Sequence, residues 1–232
     1  MKISVIGGDA RQEYLTELLR TDGYEVDSYC GGGEAELYLF PLPTGDHPVL
    51  KELPSGSMAL VAGDCGEYPD LKLLDYYDES VRLENAALTA EGALLLAMQN
   101  SPKALYGSRV FVCGFGRIGK RLCALLRAFQ ADICVCARSQ EARTLAKLEG
   151  FRAVASTDSA EEFDFVFNTV PAPVFFKTPA ALCIELASAP GGFVDGEAII
   201  SGSGLPGRTA PFAAAEILHR SILRLFKKEA LS

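Results

Sequence analysis

One glycine-rich segment has residue types and spacing that could bind a phosphate group. The segment has the pattern G-x-G-x-x-G and consists of Gly114, Phe115, Gly116, Arg117, Ile118 and Gly119. In such a turn the first glycine permits the tight bend, the second lets the backbone approach a pyrophosphate, and the third lets a helix pack closely on a strand. Because an apolar run precedes the segment and an amphipathic run follows it, we predict a dinucleotide-binding βαβ unit. A glycine-rich turn without a nucleotide is the alternative.

The residues after the next predicted strand bear on the choice of coenzyme. Ala137, Arg138 and Ser139 stand where a carboxylate would bind the ribose 2′-hydroxyl of NAD. Arg138 can pair with a 2′-phosphate, and Ser139 can donate a hydrogen bond to it. The sequence therefore favours NADP over NAD. Alternatively, Arg138 stacks on adenine or faces solvent.

A further turn follows the predicted strand 165–168. It contains Thr169, Val170 and Pro171, which we expect beside the nicotinamide because parallel strands bind ligands at their carboxyl ends. A purely structural turn would have the same sequence. In the glycine loop, Arg117 either neutralises the pyrophosphate or is a solvated charge at the start of the helix.

The first turn of the chain resembles a nucleotide loop without completing its three-glycine pattern. It comprises Gly7, Gly8, Asp9, Ala10 and Arg11. Backbone amides together with Arg11 would suit a carboxylate, so Arg11 is a candidate for binding a substrate anion; a surface charge is the alternative.

Histidine, the most common general base, is scarce in this chain. His47 lies in a proline-rich loop and His219 in the predicted last helix, and neither is placed like a base beside a coenzyme ring. This counts against an ordinary 2-hydroxyacid dehydrogenase.

Strands that alternate with helices must position these turns. Apolar and β-branched runs predict strands at 2–6, 24–29, 37–40, 59–62, 71–74, 109–113, 132–136, 152–155, 165–168, 182–186 and 198–201. Helical spacing predicts helices before Gly23 and at 118–129, 140–148 and 211–228. This order indicates an α/β fold, a Rossmann-like doubly wound parallel sheet with a second, smaller α/β domain.

The domain bounds follow from the same pattern. We expect a small substrate-side domain at 1–78, connecting helices at 79–103, the dinucleotide-binding domain at 104–210 and a C-terminal helix at 211–232. Among the connecting helices, one begins near Glu79 and a second spans 90–99 with Thr89 as its N-cap.

Composition excludes several function classes. The net charge is −8 and the basic residues do not cluster, so we expect neither nucleic acid nor an anionic membrane as a partner. No apolar run approaches the roughly 20 residues of a membrane span, which indicates a soluble, cytoplasmic protein. The seven cysteines lack metal-ligand spacing and are interpreted as reduced core thiols, with Cys134 and Cys136 on one strand face.

Motifs along nearly the whole chain resemble one known family, the A chains of dipicolinate synthases. The segments that carry the resemblance are 6–12, Asn85 with 89–92, 106–108, 114–119, 137–139, 168–171, 186–192 and 204–207. The resemblance implies an oxidoreductase that oxidises a dihydrodipicolinate-type precursor to pyridine-2,6-dicarboxylate during bacterial sporulation. It further implies that NADP accepts the hydride and that a second, flavoprotein-like subunit takes part; a homo-oligomer is compatible with it.

The resemblance leaves the substrate site less defined than the coenzyme site. Candidates for binding the dicarboxylate are Arg11, Asp9, Thr89, Ser188 and Arg208, and the catalytic residue is unknown, with Glu91 and Asp9 as positional candidates. The chain departs from the family at Glu185, where Asp is expected, and in a shorter segment between Asp46 and Asp78. Two alternatives remain: another NAD(P)-dependent oxidoreductase like the 2-hydroxyacid dehydrogenases, or a non-catalytic nucleotide-binding subunit.

Overall fold

A computed structural model describes residues 1–31, 35–177, 181–194 and 199–229. The chain divides into two compact units, one formed by Met1–Asn85 with Gly207–Ser232 and the other by Ala86–Pro206. Each unit contains a parallel sheet, so the predicted α/β class is confirmed. The functional boundaries expected at 78, 103 and 210 remain predictions, because compactness alone does not locate them.

The first unit has a five-stranded parallel sheet. Its strands are β1 (Lys2–Val5), β2 (Glu25–Ser28), β3 (Leu37–Leu39), β4 (Met58–Val61) and β5 (Lys72–Asp75). Their order is β2-β1-β3-β4-β5, a doubly wound order in which the direction of winding reverses between β1 and β3. Helix α1 (Ala10–Thr21) connects β1 to β2, and α2 (Glu79–Asn100) begins after β5.

The second unit has a six-stranded parallel sheet. Its strands are β6 (Arg109–Cys113), β7 (Asp132–Cys136), β8 (Arg152–Val154), β9 (Phe165–Asn168), β10 (Leu182–Glu185) and β11 (Ile199–Ser201). Helices α3 (Arg117–Ala128) and α4 (Gln140–Leu148) connect the first three strands. From one edge to the other the order is β8-β7-β6-β9-β10-β11, which is the Rossmann order with its reversal between β6 and β9.

The chain ends in two helices. Helix α5 (Leu205–Thr209) is short, and α6 (Pro211–Glu229) packs against the first unit. The contacts of α6 include an edge-to-face pair of Tyr14 and Phe212, with ring centroids 5.5 Å apart, and a 2.6 Å contact between His219 Nε2 and Asp22 Oδ2. These contacts explain why residues distant in sequence form one compact unit.

The prediction of two separate connecting helices is wrong. A single helix spans Glu79–Asn100, so Thr89 is not an N-cap but a buried residue inside α2. Alanine, leucine and glutamate dominate the residues around position 89, and their helix propensity carries the helix through Thr89. The glycine- and proline-rich segment near 205 also contains a helical turn, which tolerates Pro206 because the first turn needs no N–H from it. Ala198, the expected start of the last strand, lies outside the described residues.

Six cysteines are buried and reduced, as predicted, whereas Cys30 is exposed. Cys134 and Cys136 lie in one apolar cluster on the same face of the second sheet, which confirms the expected packing. Burial raises the pKa of Cys123 and of Cys183 to about 12, so these thiols stay protonated.

The described part of the chain lacks two further features. Its helices include none with the length and apolar character that a membrane crossing requires. Among the same residues, His, Cys, Asp and Glu side chains do not gather in threes as a metal ion would need.

The packing of the second sheet generates a stability prediction. Phe167 lies in β9 with no exposed surface, whereas Phe176 is 75% exposed. We expect Phe167→Ala to lower the free energy of unfolding by about 3 to 5 kcal/mol because it leaves a cavity. Phe176→Ala, the matched control, should change it by less than about 0.5 kcal/mol. Urea denaturation followed by circular dichroism measures both, and equal losses would contradict this description of the core.

Candidate functional site

The strands β6 and β9 end side by side at the point where the second sheet reverses its winding. Their last residues, Cys113 and Asn168, are register partners. Thr169 donates two hydrogen bonds to the Cys113 carbonyl oxygen, from its backbone N at 2.8 Å and from its Oγ1 at 2.9 Å. The predicted turns at 114–119 and 169–171 therefore meet at the carboxyl edge, where such sheets bind ligands.

The close approach of these turns requires glycine at two positions. Gly114 has a φ of +97°, and a Cβ atom there would collide with Thr169 Oγ1. A Cβ atom on Gly119 would collide with the Gly114 carbonyl oxygen. The two glycines thus have the backbone roles predicted from the sequence, a tight turn and close packing of helix on strand.

Gly116 differs from the other two glycines of the loop. It is the N-cap of α3 and has no side chain that could cap the helix, and a Cβ atom at 116 would meet nothing within 4 Å. The first amides of a helix carry partial positive charge and need acceptors. This geometry leaves both space and hydrogen-bond donors for an anion such as a pyrophosphate.

The other side chains of the loop divide between core and solvent. Phe115 is buried and packs edge-to-face on Phe151, with centroids 6.1 Å apart, while Ile118 packs partly buried against the same core cluster. Phe115 can therefore serve a ligand only through its backbone. Arg117 is exposed.

The turn after β7 carries the residues predicted to select the coenzyme. Ala137 is buried, Arg138 is exposed, and the Ser139 hydroxyl caps α4 by accepting a hydrogen bond from Ala142 N at 3.1 Å. An accepting hydroxyl keeps its own proton free to donate. Arg138 and Ser139 thus remain available to a group beside the turn.

Sequence reasoning missed Arg143, which holds this turn in place. Its Nη1 donates to the carbonyl oxygens of Ala137 at 2.7 Å and Arg138 at 2.6 Å, and its Nη2 donates to Gln140 Oε1 at 2.7 Å. A second guanidinium therefore lies at the base of the turn that presents Arg138. The one available signal was a basic residue one helical turn beyond the N-cap of α4.

The turn after β9 is held by a buried amide. Asn168 is 0% exposed, donates to the Val170 carbonyl oxygen at 2.9 Å and accepts from Val170 N at 3.1 Å. These bonds fix the backbone of Thr169 and Val170, and Pro171 continues the turn as an exposed residue.

In the first unit, the turn after β1 is occupied by an ion pair. Asp9 caps α1 by accepting from Arg11 N at 3.0 Å, and its Oδ2 lies 2.7 Å from Arg11 Nη2. The same Nη2 donates to the Leu42 carbonyl oxygen at 3.0 Å, and a Cβ on Gly207 would lie 2.5 Å from Asp9 Oδ2. Arg11 is only 8% exposed, so the alternative of a surface charge is wrong. An incoming anion would have to compete with Asp9 for the guanidinium.

The ion pair also bears on Asp9 as a proton acceptor. Burial alone would raise the pKa of Asp9, but hydrogen bonds and the positive charge of Arg11 outweigh burial and hold the pKa below its usual value. A carboxylate with a lowered pKa is a weak general base near neutral pH. Asp9 is thus better suited to orient Arg11 than to accept a proton.

The remaining candidates lie on three different elements. Glu91 is exposed on α2, and Thr89 is buried on the same helix. Ser188 is exposed in the loop after β10, and its carbonyl oxygen accepts a hydrogen bond from Gly191 N at 2.9 Å. Arg208 is exposed in α5. Their roles in binding or catalysis remain predictions.

Comparison with known proteins places these features in a family context. Residues 75–174 match the family described as D-isomer specific 2-hydroxyacid dehydrogenase, NAD binding domain. The A chain of dipicolinate synthase in Bacillus subtilis (strain 168) is 31% identical over 170 residues, which are 66% of this chain. The match spans 57% of that relative, less than two thirds of its length.

Solved structures agree with this result at the level of the fold. The A chain of dipicolinate synthase from Bacillus subtilis superposes with a TM-score of 0.81 at 23% identity, over 100% of this chain and 98% of that one. The corresponding dipicolinate synthase chain from Bacillus halodurans gives 0.81 at 22% identity, with 97% of each chain covered. A transhydrogenase from Sinorhizobium meliloti gives 0.69 at 15% identity, over 98% of this chain and 94% of that one.

The family match, the relatives and the strand order agree with one another. The chain has the Rossmann-like α/β fold, and residues 75–174 match an NAD-binding domain, which indicates a nicotinamide coenzyme. The resemblance to the A chain of dipicolinate synthase that the sequence motifs predict is thereby confirmed.

Proposed function

We propose that this chain is the NADP-dependent subunit of a dipicolinate synthase, acting in the cytoplasm during sporulation. It oxidises a dihydrodipicolinate-type ring to pyridine-2,6-dicarboxylate together with a second, flavoprotein-like subunit. The observation that carries the proposal is the N-cap of α3, Gly116, which has no side chain, lies at the reversal point of the second sheet and belongs to the residues that match the NAD binding domain.

The chain's own residues support the binding of NADP in a defined way. The backbone at Gly114 and Gly116 leaves room for the pyrophosphate, and the first amides of α3 can donate to it. Arg138 and Ser139 can bind the 2′-phosphate, and Arg143 adds a second positive charge at the same turn.

The protein needs to contribute little covalent chemistry to this reaction. When bound, NADP supplies a hydride acceptor. The precursor loses one hydride and one proton to become aromatic, so the protein has to orient the ring and exclude competing reactions. Under this proposal the turn at Thr169 and Pro171 lies beside the reacting ring. Arg208 and Arg11, which belong to the other compact unit, are the candidates for binding a carboxylate of the substrate. Glu91 remains the positional candidate for the proton acceptor, since its carboxylate is exposed on α2 and Asp9 is already paired.

A reconstitution experiment tests the proposed function. The chain, the purified second component of dipicolinate synthase, the cyclic precursor and NADP are mixed, and nicotinamide absorbance and the aromatic product are followed. We expect NADPH and pyridine-2,6-dicarboxylate to appear in equal amounts. Reduction of a 2-keto acid by NADPH instead would favour a general 2-hydroxyacid dehydrogenase. Binding of NADP without turnover would indicate a non-catalytic subunit.

The coenzyme preference has its own test. Arg138→Asp removes a charge-assisted contact and places a negative charge near the 2′-phosphate, so we expect NADP affinity to fall by about 2 to 3 kcal/mol while NAD affinity changes little. Arg121→Asp on α3 makes the same change of charge at another exposed position and should affect neither. Titration calorimetry with both coenzymes measures the difference; equal losses for NADP and NAD would remove Arg138 from coenzyme selection.

Two glycines of the loop 114–119 allow effects on coenzyme binding to be distinguished from effects on folding. At Gly116 an added methyl group meets open space, so Gly116→Ala should change the free energy of unfolding by less than about 0.5 kcal/mol, yet obstruct the pyrophosphate and weaken NADPH binding about tenfold or more. Gly119→Ala, which forces a collision with the Gly114 carbonyl, should instead destabilise the fold. NADPH fluorescence titration and urea denaturation give the two readouts. Unchanged affinity in Gly116→Ala would place the pyrophosphate elsewhere.

A further inference from the structure

The carboxylate of Glu185 accepts several hydrogen bonds, and Glu185 has no role in the proposed function so far. It is the last residue of β10, and its carboxylate accepts three hydrogen bonds. Oε1 accepts from Asn168 Nδ2 at 2.7 Å and from Ala187 N at 2.9 Å, while Oε2 accepts from Gly192 N at 2.6 Å. One side chain therefore connects both ends of the loop 186–192 to the end of the neighbouring strand.

The partner of this carboxylate is itself fully engaged. Asn168 is 0% exposed, and its amide group also binds the backbone N and O of Val170. Because the side chain of Asn168 fixes the turn after β9, its bond to Glu185 couples that turn to the loop after β10. The Glu185 backbone carbonyl extends the connection by accepting from Gly202 N at 2.7 Å, beyond the end of β11.

The loop packs on this pair too closely for side chains. A Cβ atom on Gly192 would collide with the Asn168 amide, and one on Gly191 would lie 3.0 Å from Glu185 Oε2. The two consecutive glycines are thus explained by the carboxylate and amide beneath them, because only a bare backbone comes within hydrogen-bond distance of both.

All three groups that face the Glu185 carboxylate are donors. Two are backbone N–H groups and one is the Asn168 NH₂ group, so the site needs an acceptor at each point of contact. An ionised carboxylate provides acceptors only, whereas an amide of the same shape would turn an N–H group toward at least one donor. A donor left without its acceptor away from water costs more than the net contribution of an ordinary hydrogen bond.

We propose that Glu185 is a positioning residue that sets the loop 186–192, and with it Ser188, against the turn 169–171 that the proposed function places beside the reacting ring. Its carboxylate acts through Asn168 and the backbone, without touching coenzyme or substrate. This inference rests on the proposed function, and it adds a specific expectation. Loss of Glu185 misplaces the loop 186–192 and the turn beyond Thr169, while the two bonds from Thr169 to the Cys113 carbonyl oxygen keep the pyrophosphate loop in place and the Arg138 turn is unchanged.

Four variants test the proposal against a matched control. Glu185→Gln keeps the shape but removes the charge, and Asn168→Asp places two carboxylates together. The double variant Asn168→Asp with Glu185→Gln keeps the net charge, but it leaves the Val170 carbonyl oxygen without its donor and turns an N–H group toward Ala187 N or Gly192 N. Glu185→Asp keeps the charge on a shorter side chain. Glu162→Gln, at an exposed position, is the control for the loss of one negative charge.

Hydrogen exchange measures the coupling without any ligand. In Glu185→Gln the amide of Gly192 loses a charge-assisted bond, so exchange in the peptide 186–194 should be about tenfold faster than in the wild type. The double variant should exchange at least as fast as Glu185→Gln, Glu185→Asp should lie between the wild type and Glu185→Gln, and Glu162→Gln should match the wild type. Unchanged exchange in Glu185→Gln would overturn the inference, and so would wild-type exchange in the double variant.

Kinetics of the reconstituted complex then distinguish a positioning role of Glu185 from a general loss of structure. We expect kcat to fall about 10- to 100-fold in Glu185→Gln, because the reacting groups are displaced, while the Kd for NADPH changes less than about twofold. Parallel losses of kcat and NADPH affinity would indicate a merely structural role and overturn the inference. A wild-type chain that neither binds NADPH nor turns over precursor would overturn the proposed function instead, and hydrogen exchange alone would then decide whether Glu185 couples the loops.

Discussion

The Cys113 carbonyl oxygen, with the two hydrogen bonds that it accepts from Thr169, is the contact on which the second unit depends. These bonds bring the ends of β6 and β9 together where the sheet changes direction. Because the two turns are in contact, Gly114 and Gly119 cannot carry side chains, and α3 begins directly after Gly116. The geometry of the proposed phosphate site thus follows from the contact between these two turns.

Both sheets place a helix N-terminus at the point where the winding reverses, but the two helices differ in their N-cap residues. Both reverse their winding next to the first strand of the unit, and in both a helix begins just after that strand. In the first unit the helix is capped by Asp9, whose negative charge satisfies the first turn and holds Arg11. In the second unit the cap is Gly116, which has no side chain. A helix N-terminus that already has a carboxylate gains little from a phosphate, whereas one whose N-cap residue has no side chain gains a hydrogen-bond acceptor. This contrast explains why an incomplete glycine pattern in one unit and a complete one in the other predict different ligands.

Local signals were sufficient to predict most of the fold. Strands β6, β7 and β9 and helix α4 begin and end at the predicted residues because apolar runs, glycines and caps lie close to them in sequence. The continuous helix α2 was missed because the capping preference of Thr89 is weaker than the helix propensity around it. The packing of α6 with residues 1–85 depends on aromatic and charged contacts between distant segments, which a sequence pattern does not contain.

The same distinction separates the predicted part of the site from the missed part. The backbone roles of Gly114, Gly116 and Gly119 are predicted from residue type and spacing alone. Arg143 and Glu185 act on backbone atoms of loops whose shape exists only after the sheet has formed, so their residue types alone did not reveal their partners.

Under the proposed function, the arrangement of charge after β7 would allow a protein with a net charge of −8 to favour NADP, which carries an additional phosphate. Arg143 uses its N–H groups on two carbonyl oxygens and on Gln140, yet its positive charge stays beside the turn. Arg138 keeps an exposed side chain on the same turn. Under the proposed function, a 2′-phosphate would gain from both charges, whereas a ribose hydroxyl would gain only a neutral hydrogen bond. Coenzyme choice would then depend on two guanidinium groups with separate tasks, one fixing the turn and the other meeting the ligand.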